Sequence, residues 1–145
     1  MRFLVQRVTR ASVSVDGNLE GGITAGLLVF IGISATDGAS EADYLADKLV
    51  NLRIFPDNEG RMNLSALDIN GQLLLVSQFT LYGDCRRGRR PSFDAAAPAS
   101  RARELYEYTV SKVREKGLAT KTGVFQADMQ VELVNDGPVT LLLES

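Results

Sequence analysis

The chain contains no histidine. That absence removes the serine–histidine–aspartate and cysteine–histidine nucleophile pairs, and with them histidine-ligated metal centres. Cysteine is nearly absent as well. Cys85 stands alone, so there is no intrachain disulfide framework and no cysteine-rich zinc site, and the chain suits a reducing cytoplasm. No apolar run approaches the ~20 residues that a membrane-spanning helix needs. The opening stretch Met1-Arg2-Phe3-Leu4-Val5-Gln6-Arg7 turns polar too soon for a secretory signal. These gaps predict a cytoplasmic protein with no membrane, metal or cofactor requirement. A hydrolase with this composition must work with hydroxyls, amides, backbone dipoles or groups on its own substrate.

A chain of 145 residues is the size of one domain. At that length roughly 70% of the unfolded surface is buried on folding, so no disulfide or metal is needed to hold it together. A hydrophobic content of 45% with 23% charged residues is ordinary for a globular protein. The net charge of −2 predicts no partner, but its distribution does. Arg86, Arg87, Arg89 and Arg90 fall within five residues, and without them the remainder carries −6.

Strand-like alternation runs through Phe3, Val5, Val8, Val13 and Val15, and Asp16-Gly17-Asn18 signals a hairpin with a return strand near Leu19–Ile23. Leu27–Ile33 is a continuous apolar run bounded by glycine, the pattern of a buried central strand. Ser40 reads as the cap of a helix whose buried face is Ala42, Leu45, Ala46, Leu49 and Val50. Leu52–Phe55 reads as a short strand, Met62–Leu67 as an irregular or short helical segment, and Leu73–Val76 as a second buried strand. A long helix is predicted over about Ala99–Lys116, with Leu105, Tyr108, Thr109, Val110 and Val113 inward and Gly117 as its stop. Thr122–Gln126, Met129–Val134 and Val139–Leu143 read as the last strands.

Two helices can cover one face of a sheet but not both. The expected fold is therefore a mixed α/β domain over residues 1–145, layered helix, sheet, sheet, with many antiparallel strands, and a homodimer is expected.

Several stretches are candidates for chemistry. Ser77-Gln78-Phe79-Thr80 ends a buried strand with two hydroxyls and an amide. Such groups orient a substrate, donate to an oxyanion or supply a nucleophile. Alternation puts Ser77 and Phe79 on one side and Gln78 and Thr80 on the other; a solvated edge strand has the same pattern. Arg86-Arg87-Gly88-Arg89-Arg90 reads either as a solvated loop or as a phosphate clamp, since guanidinium forks match phosphate oxygens. Cys85 adjoins that cluster but has no partner base, so it reads as a bystander. Asp43 and Asp47 read as solvated helix charges. Asn135-Asp136-Gly137-Pro138 is turn chemistry between two apolar runs. It reads as an ordinary hairpin turn, or as a turn that aims two carbonyls outward. Nothing in the sequence pairs Asp136 with a partner.

Taken together these stretches resemble the bacterial D-aminoacyl-tRNA deacylases over essentially the full chain. The resemblance lies in Val5-Gln6-Arg7-Val8 with Ala11-Ser12-Val13, in Asn51-Leu52-Arg53-Ile54-Phe55 and in Ser77-Gln78-Phe79-Thr80-Leu81. It continues in Gly88-Arg89-Arg90-Pro91-Ser92-Phe93, in Ala127-Asp128-Met129-Gln130-Val131 and in Asn135-Asp136-Gly137-Pro138-Val139-Thr140. It implies hydrolysis of the ester between a D-amino acid and the terminal adenosine of tRNA, by a homodimer with its active sites at the interface. It implies that a cis Gly137-Pro138 peptide enters the partner's site and holds the substrate α-amino group with its carbonyls. An L side chain is then rejected and a D side chain, or glycine, accepted. Ser77, Gln78, Phe79 and Thr80 would line the site, with the Phe79 N–H as oxyanion donor. The chemistry would lie either with Thr80 or with the 2′-hydroxyl of the substrate. Met129 and Arg7 would pack near the Gly-Pro element. Other classes fit parts of the pattern: an RNA-binding module without chemistry, an oligomerisation domain, or an editing domain of a tRNA synthetase.

Overall fold

The computed structural model describes all 145 residues. In chain order its elements are β1 (Arg2–Val15), β2 (Asn18–Ile23), β3 (Gly26–Gly32), α1 (Ala39–Asn51), β4 (Phe55–Pro56) and β5 (Met62–Leu64). Then come β6 (Gln72–Ser77), a 3₁₀ turn (Phe79–Tyr82), α2 (Ala99–Glu115), β7 (Thr120–Thr122) and β8 (Gln130–Glu144).

The long strand β1 is paired along both edges. On one edge β3 runs antiparallel to residues Arg2–Val8, and β2 takes over from Ala11 to Val15. On the other edge β8 follows nearly the whole length of β1. The β1–β2 reversal is the one predicted. Asp16 and Gly17 both take left-handed angles (φ 50° and 78°), the backbone that a two-residue hairpin loop needs. Beyond β3 the sheet continues through parallel pairs, β3 with β6 and β6 with β7. Parallel neighbours need crossovers, and α1 and α2 lie in those two connections.

Alternation in the central strands separates two cores. Leu27, Val29 and Ile31 of β3, with Leu73 and Leu75 of β6, belong to the core shared with Leu45 and Leu49 of α1 and Leu105, Tyr106 and Val113 of α2. Leu28, Leu74 and Val76 point the other way, onto Val8, Ala11, Val13 and Ile23. The second face of the central sheet is thus covered by β2 and the far half of β1, and the layers run helix, sheet, sheet as expected.

Four local expectations are corrected. Helix α1 is capped at Gly38, not Ser40: the Glu41 carboxylate accepts from the Gly38 N–H at 2.8 Å. On α2 the buried stripe is Ala102, Leu105, Tyr106, Thr109, Val110 and Val113, spaced by threes and fours, so Tyr106 rather than Tyr108 enters the core. Tyr108 sits at the margin, its hydroxyl donating to Asp43 at 2.9 Å. Met62–Leu64 is a strand paired with β4. The segment after Thr122 is not a strand: Gln126 has φ 63° and the Ala127 N–H bonds back to the Val124 carbonyl, which turns Phe125 toward Tyr106.

The largest correction concerns the C-terminal turn. There is no hairpin between Gln130–Val134 and Val139–Leu143. Both runs pair with β1, from Ser14↔Gln130 to Arg2↔Glu144, and the residues between them form a bulge in a single strand.

Candidate active site

The active-site candidate starts where β6 leaves the sheet. Ile31↔Ser77 is the last register pair with β3, and the Gln78 N–H still reaches the Ile31 carbonyl at 2.8 Å. The chain then tightens into the 3₁₀ turn, closed by Leu81 N–H to Gln78 O at 3.3 Å and Gly83 N–H to Thr80 O at 2.9 Å. The turn rests directly on the end of β3. A Cβ at Gly32 would stand 2.9 Å from the Leu81 Cβ, so only glycine lets the turn approach this closely. Arg2 ties the turn down from the side: its Nη1 donates to the Leu81 carbonyl at 2.9 Å, its Nε to Glu144 at 2.7 Å, and its guanidinium lies 4.6 Å from the centre of the Tyr82 ring.

Because the strand ends at Ser77, the alternation expected for Ser77–Thr80 does not extend through them. Phe79 is left 56% exposed, and Thr80 is exposed with its Oγ1 accepting from Gln78 Nε2. A neutral amide, by either of its polar atoms, does not take a proton from a hydroxyl at neutral pH, so this bond orients Thr80 without activating it.

Ser77, Gln78, Phe79 and Met129 share a cavity of about 600 Å³. Its other walls come mainly from β3, α2 and the Phe125–Asp128 turn, and most are apolar. Asp128 is its only ionisable residue. Asp128 lies in a stretch that carries the family resemblance, with no role implied for it there, and Phe125 had no distinguishing signal; both join the site because the turn after β7 folds back over β6. A second cavity of about 700 Å³, between β1, β2 and β8, contains none of the predicted site residues.

Gly137 and Pro138 lie elsewhere. Gln6 pairs with Thr140 and Val8 with Asn135, so Asp136–Val139 stand as a bulge opposite Arg7 alone. Arg7 is buried beneath it. Its Nε donates to the Asp136 carbonyl at 3.1 Å and pairs with the Asp136 carboxylate at 3.2 Å, and its Nη1 donates to the Ile54 carbonyl. Asp136, unpartnered in the sequence reading, is thus half of an ion pair. Gly137 has φ 124°, and a Cβ there would fall 2.8 Å from the Arg7 guanidinium. The Gly137-Pro138 peptide is cis, and both residues are exposed. Neither they nor Arg7 line the Ser77–Met129 cavity.

The basic loop is anchored beside the site. Asp84 and Ser92 exchange backbone bonds of 2.7 and 3.0 Å and close the loop between them. Phe93, next along, packs edge-on against Phe79 with ring centres 5.0 Å apart. Arg86 is paired within the loop: its fork is bonded to the Asp84 carboxylate at 2.9 and 2.6 Å, which holds that carboxyl down at about 2. Arg87, Arg89 and Arg90 are exposed and make no ion pair, and Cys85 is exposed in the same loop. No cluster of side chains suited to hold a metal ion is present, and no helix is long and apolar enough to cross a membrane.

A layered α/β fold with hydroxyls and an amide at a strand end, beside a loop of unpaired arginines, is compatible with one class in particular: hydrolases that work without a histidine base. The comparisons narrow it. The family model described as D-Tyr-tRNA(Tyr) deacylase matches residues 4–144. Relatives named D-aminoacyl-tRNA deacylase are 62% identical in Koribacter versatilis and 58% identical in Geotalea uraniireducens; each match spans 100% of this chain, and 97% and 94% of the relative. The chain belongs to the D-aminoacyl-tRNA deacylase family, and so to the hydrolases. Among solved structures, the c-Myc DNA Unwinding Element Binding Protein is 41% identical with a TM-score of 0.94, covering 100% of this chain and 99% of its own. A probable eukaryotic D-amino acid tRNA deacylase, 16% identical, superposes with a TM-score of 0.87 over 99% of this chain and 98% of its own, which speaks for the fold alone.

Proposed function

We propose that this deacylase cleaves the ester of D-aminoacyl-tRNA as a homodimer, each protomer lending its Gly137-Pro138 bulge to the partner's cavity. The carbonyls of that segment hold the substrate α-amino group. In that pose an L side chain runs into the carbonyls while a D side chain points outward, so selection needs no side-chain pocket and works by exclusion. Glycyl-tRNA, with no side chain to exclude, is also cleaved. One observation carries this reading: the bulge is pinned from beneath by Arg7, yet leaves Gly137 and Pro138 exposed and outside the chain's own cavity. A segment so presented suits a second copy. The outer edge of β8 pairs with no strand and exposes Val134, Leu141 and Leu142, an apolar margin for that copy.

At the cavity, Ser77, Gln78 and Phe79 position the ester, Met129 packs against it, and Thr80, outside the lining, acts through its bond to Gln78. Water attacks the ester carbonyl carbon and gives a proton to the 2′-hydroxyl of the terminal adenosine, the Phe79 N–H stabilises the resulting oxyanion, and the 2′-hydroxyl passes its own proton to the departing 3′-oxygen as the C–O bond breaks. The products are the free amino acid and tRNA. Substrate-supplied proton transfer fits a site with no histidine and with a threonine whose only side-chain partner is an amide. Arg87, Arg89 and Arg90 hold backbone phosphates near the site, which fixes the position of the tRNA without reading its sequence. The protein acts in the cytoplasm, in translation quality control.

The test is hydrolysis of D-Tyr-tRNA and L-Tyr-tRNA, with subunit mixing. The D ester should be lost far faster than in buffer and the L ester should not. Mixing Gly137→Ala protomers with Phe79→Pro protomers, which lack that N–H at the first position of the 3₁₀ turn, should restore part of the activity that each lacks alone, because one of the two sites of the mixed dimer then has both parts intact. A D-ester rate equal to buffer ends the enzyme reading; no recovery on mixing ends the shared site.

A further inference from the structure

The neck of the β8 bulge contains hydrogen bonds that none of the roles above uses. The strand leaves the β1 ladder after Asn135 and rejoins it at Thr140. These two residues meet across the gap, with Asn135 Nδ2 donating to Thr140 Oγ1 at 2.9 Å. Thr140 Oγ1 also accepts from Gln6 Nε2 at 3.1 Å, and Gln6 is the β1 residue paired with Thr140. The other end of the Asn135 amide turns into the bulge, where Oδ1 accepts from the Val139 N–H at 2.8 Å. Val139 is buried, 6% exposed. Its N–H therefore needs an acceptor, and the excursion of the chain has taken away the one a regular ladder would supply. The asparagine side chain replaces it.

The segment is consequently gripped at both ends. Arg7 holds the carbonyl of Asp136 as the chain leaves the ladder, and Asn135 holds the N–H of Val139 as it returns. Gly137 and Pro138 are the two residues between these grips. The bonds at the neck are mostly solvent-exposed, so they add little to overall stability. Their effect is on direction: with three side chains closing the neck, the pair between the grips cannot swivel about the ends of the bulge.

We infer that Asn135, Thr140 and Gln6 are positioning residues that set the orientation of Gly137 and Pro138, and through it the discrimination between D and L substrates. The inference rests on the proposed role of that segment as selector. A swivelling segment captures the α-amino group less well and excludes an L side chain less strictly, so both errors lower one quantity, the D-over-L ratio. A purely structural role lowers both rates together and leaves that ratio alone.

The experiment measures kcat and KM for D-Tyr-tRNA and L-Tyr-tRNA, with thermal melts, on the full-length protein and on Asn135→Ala, Asn135→Asp, Thr140→Val and Gln6→Ala. Asn135→Ala should lower the D-over-L ratio of kcat/KM by about tenfold, the equivalent of one hydrogen bond worth roughly 1.4 kcal/mol. The loss should come from a raised KM for the D ester and faster loss of the L ester. Asn135→Asp keeps the acceptor for the Val139 N–H and should recover most of the ratio. Thr140→Val and Gln6→Ala should lower it by smaller steps. A wild-type ratio in Asn135→Ala, or equal falls in both rates, overturns the inference whatever the melting temperature. If Asn135→Ala does not fold, the ratio in Thr140→Val decides in the same way. Unmutated protein that does not prefer the D ester overturns the proposed function, and this inference with it.

Discussion

Arg7 Nε lies 3.1 Å from the carbonyl oxygen of Asp136 and 3.2 Å from its carboxylate, so a buried guanidinium forms the floor of the bulge that carries Gly137 and Pro138. Arg7 also serves the Ile54 carbonyl. Replacing it with alanine leaves buried acceptors without a donor, a change that costs about 2–3 kcal/mol. Arg7→Ala should therefore be less stable by that amount in urea melts and lose activity on the D ester. Arg7→Lys should not restore either property. A single ammonium lacks the planar fork that reaches two carbonyls in different directions. Wild-type stability in Arg7→Ala would show that the bulge stands without its floor.

Thr80→Ala should keep substantial activity. The hydroxyl is bonded to an amide and has no base beside it, so removing it takes away positioning and not a nucleophile. Asp128→Asn should behave likewise, although Asp128 is the only ionisable residue lining the cavity. Single-turnover rates with D-Tyr-tRNA decide the matter. A fall of several orders of magnitude in Thr80→Ala makes the threonine a nucleophile, and the same fall in Asp128→Asn makes the carboxylate a base.

The arginines of the loop should not contribute equally. Arg86 is committed to Asp84, whereas Arg87, Arg89 and Arg90 are unpaired. Each of the last three that touches a backbone phosphate adds about 0.7–0.9 to the slope of log affinity against log salt. The triple alanine variant should raise KM for tRNA at physiological salt and flatten that slope, and Arg86→Ala should change both less. An unchanged slope in the triple variant removes the loop from the tRNA contact.

Tyr106 ties stability to alkaline pH. Its hydroxyl donates to the Leu75 carbonyl at 2.9 Å inside the core, and burial pushes its pKa up to about 12. An unfolded tyrosine ionises near 10. Below that value the phenol is neutral in both states and the stability is fully present. Between about 10 and 12 only the unfolded chain gives up the proton, so stability falls as pH rises, by ~2–3 kcal/mol over that window. Tyr106→Phe should lose about 1 kcal/mol at neutral pH and show a shallower alkaline decline. Denaturant melts from neutral pH to pH 12 measure both; parallel curves for the two proteins would contradict the assignment.

How far the sequence announced all this depended on whether a signal was local. Asp16-Gly17 specifies its own reversal, and the glycine-bounded run at Leu27–Ile33 specifies a buried strand, because neither needs a distant partner. Helix α2 was legible to within one residue at its end, but the expected stripe included Tyr108 and omitted Ala102 and Tyr106, which lie at i and i+4 on the buried face. Met62–Leu64 is a strand only because Phe55 and Pro56 lie beside it, and nothing in three residues discloses that. Asn135-Asp136-Gly137-Pro138 misled in the opposite way. Its turn chemistry is real, but β1 holds both flanks, and long-range pairing overrode the local tendency to reverse. The site followed the same rule. Ser77–Phe79 and Met129 were visible as motifs and do share a cavity, Asp128 was visible beside Met129 without a role, and Phe125 enters through tertiary folding alone. The Arg7–Asp136 pair spans most of the chain and has no sequence signature.

The β1–β8 ladder joins residues as far apart as Phe3 and Leu143. Closing a loop of that length is entropically unfavourable until its contacts form, and such pairings form slowly. The β3–β6 pair and its helices lie closer together in sequence and can assemble before β8 docks. The bulge, a feature of the ladder itself, takes shape only with that final docking. Val131 of the same strand lines the cavity, so the cavity wall and the bulge are completed by one event, the pairing of β8 with β1.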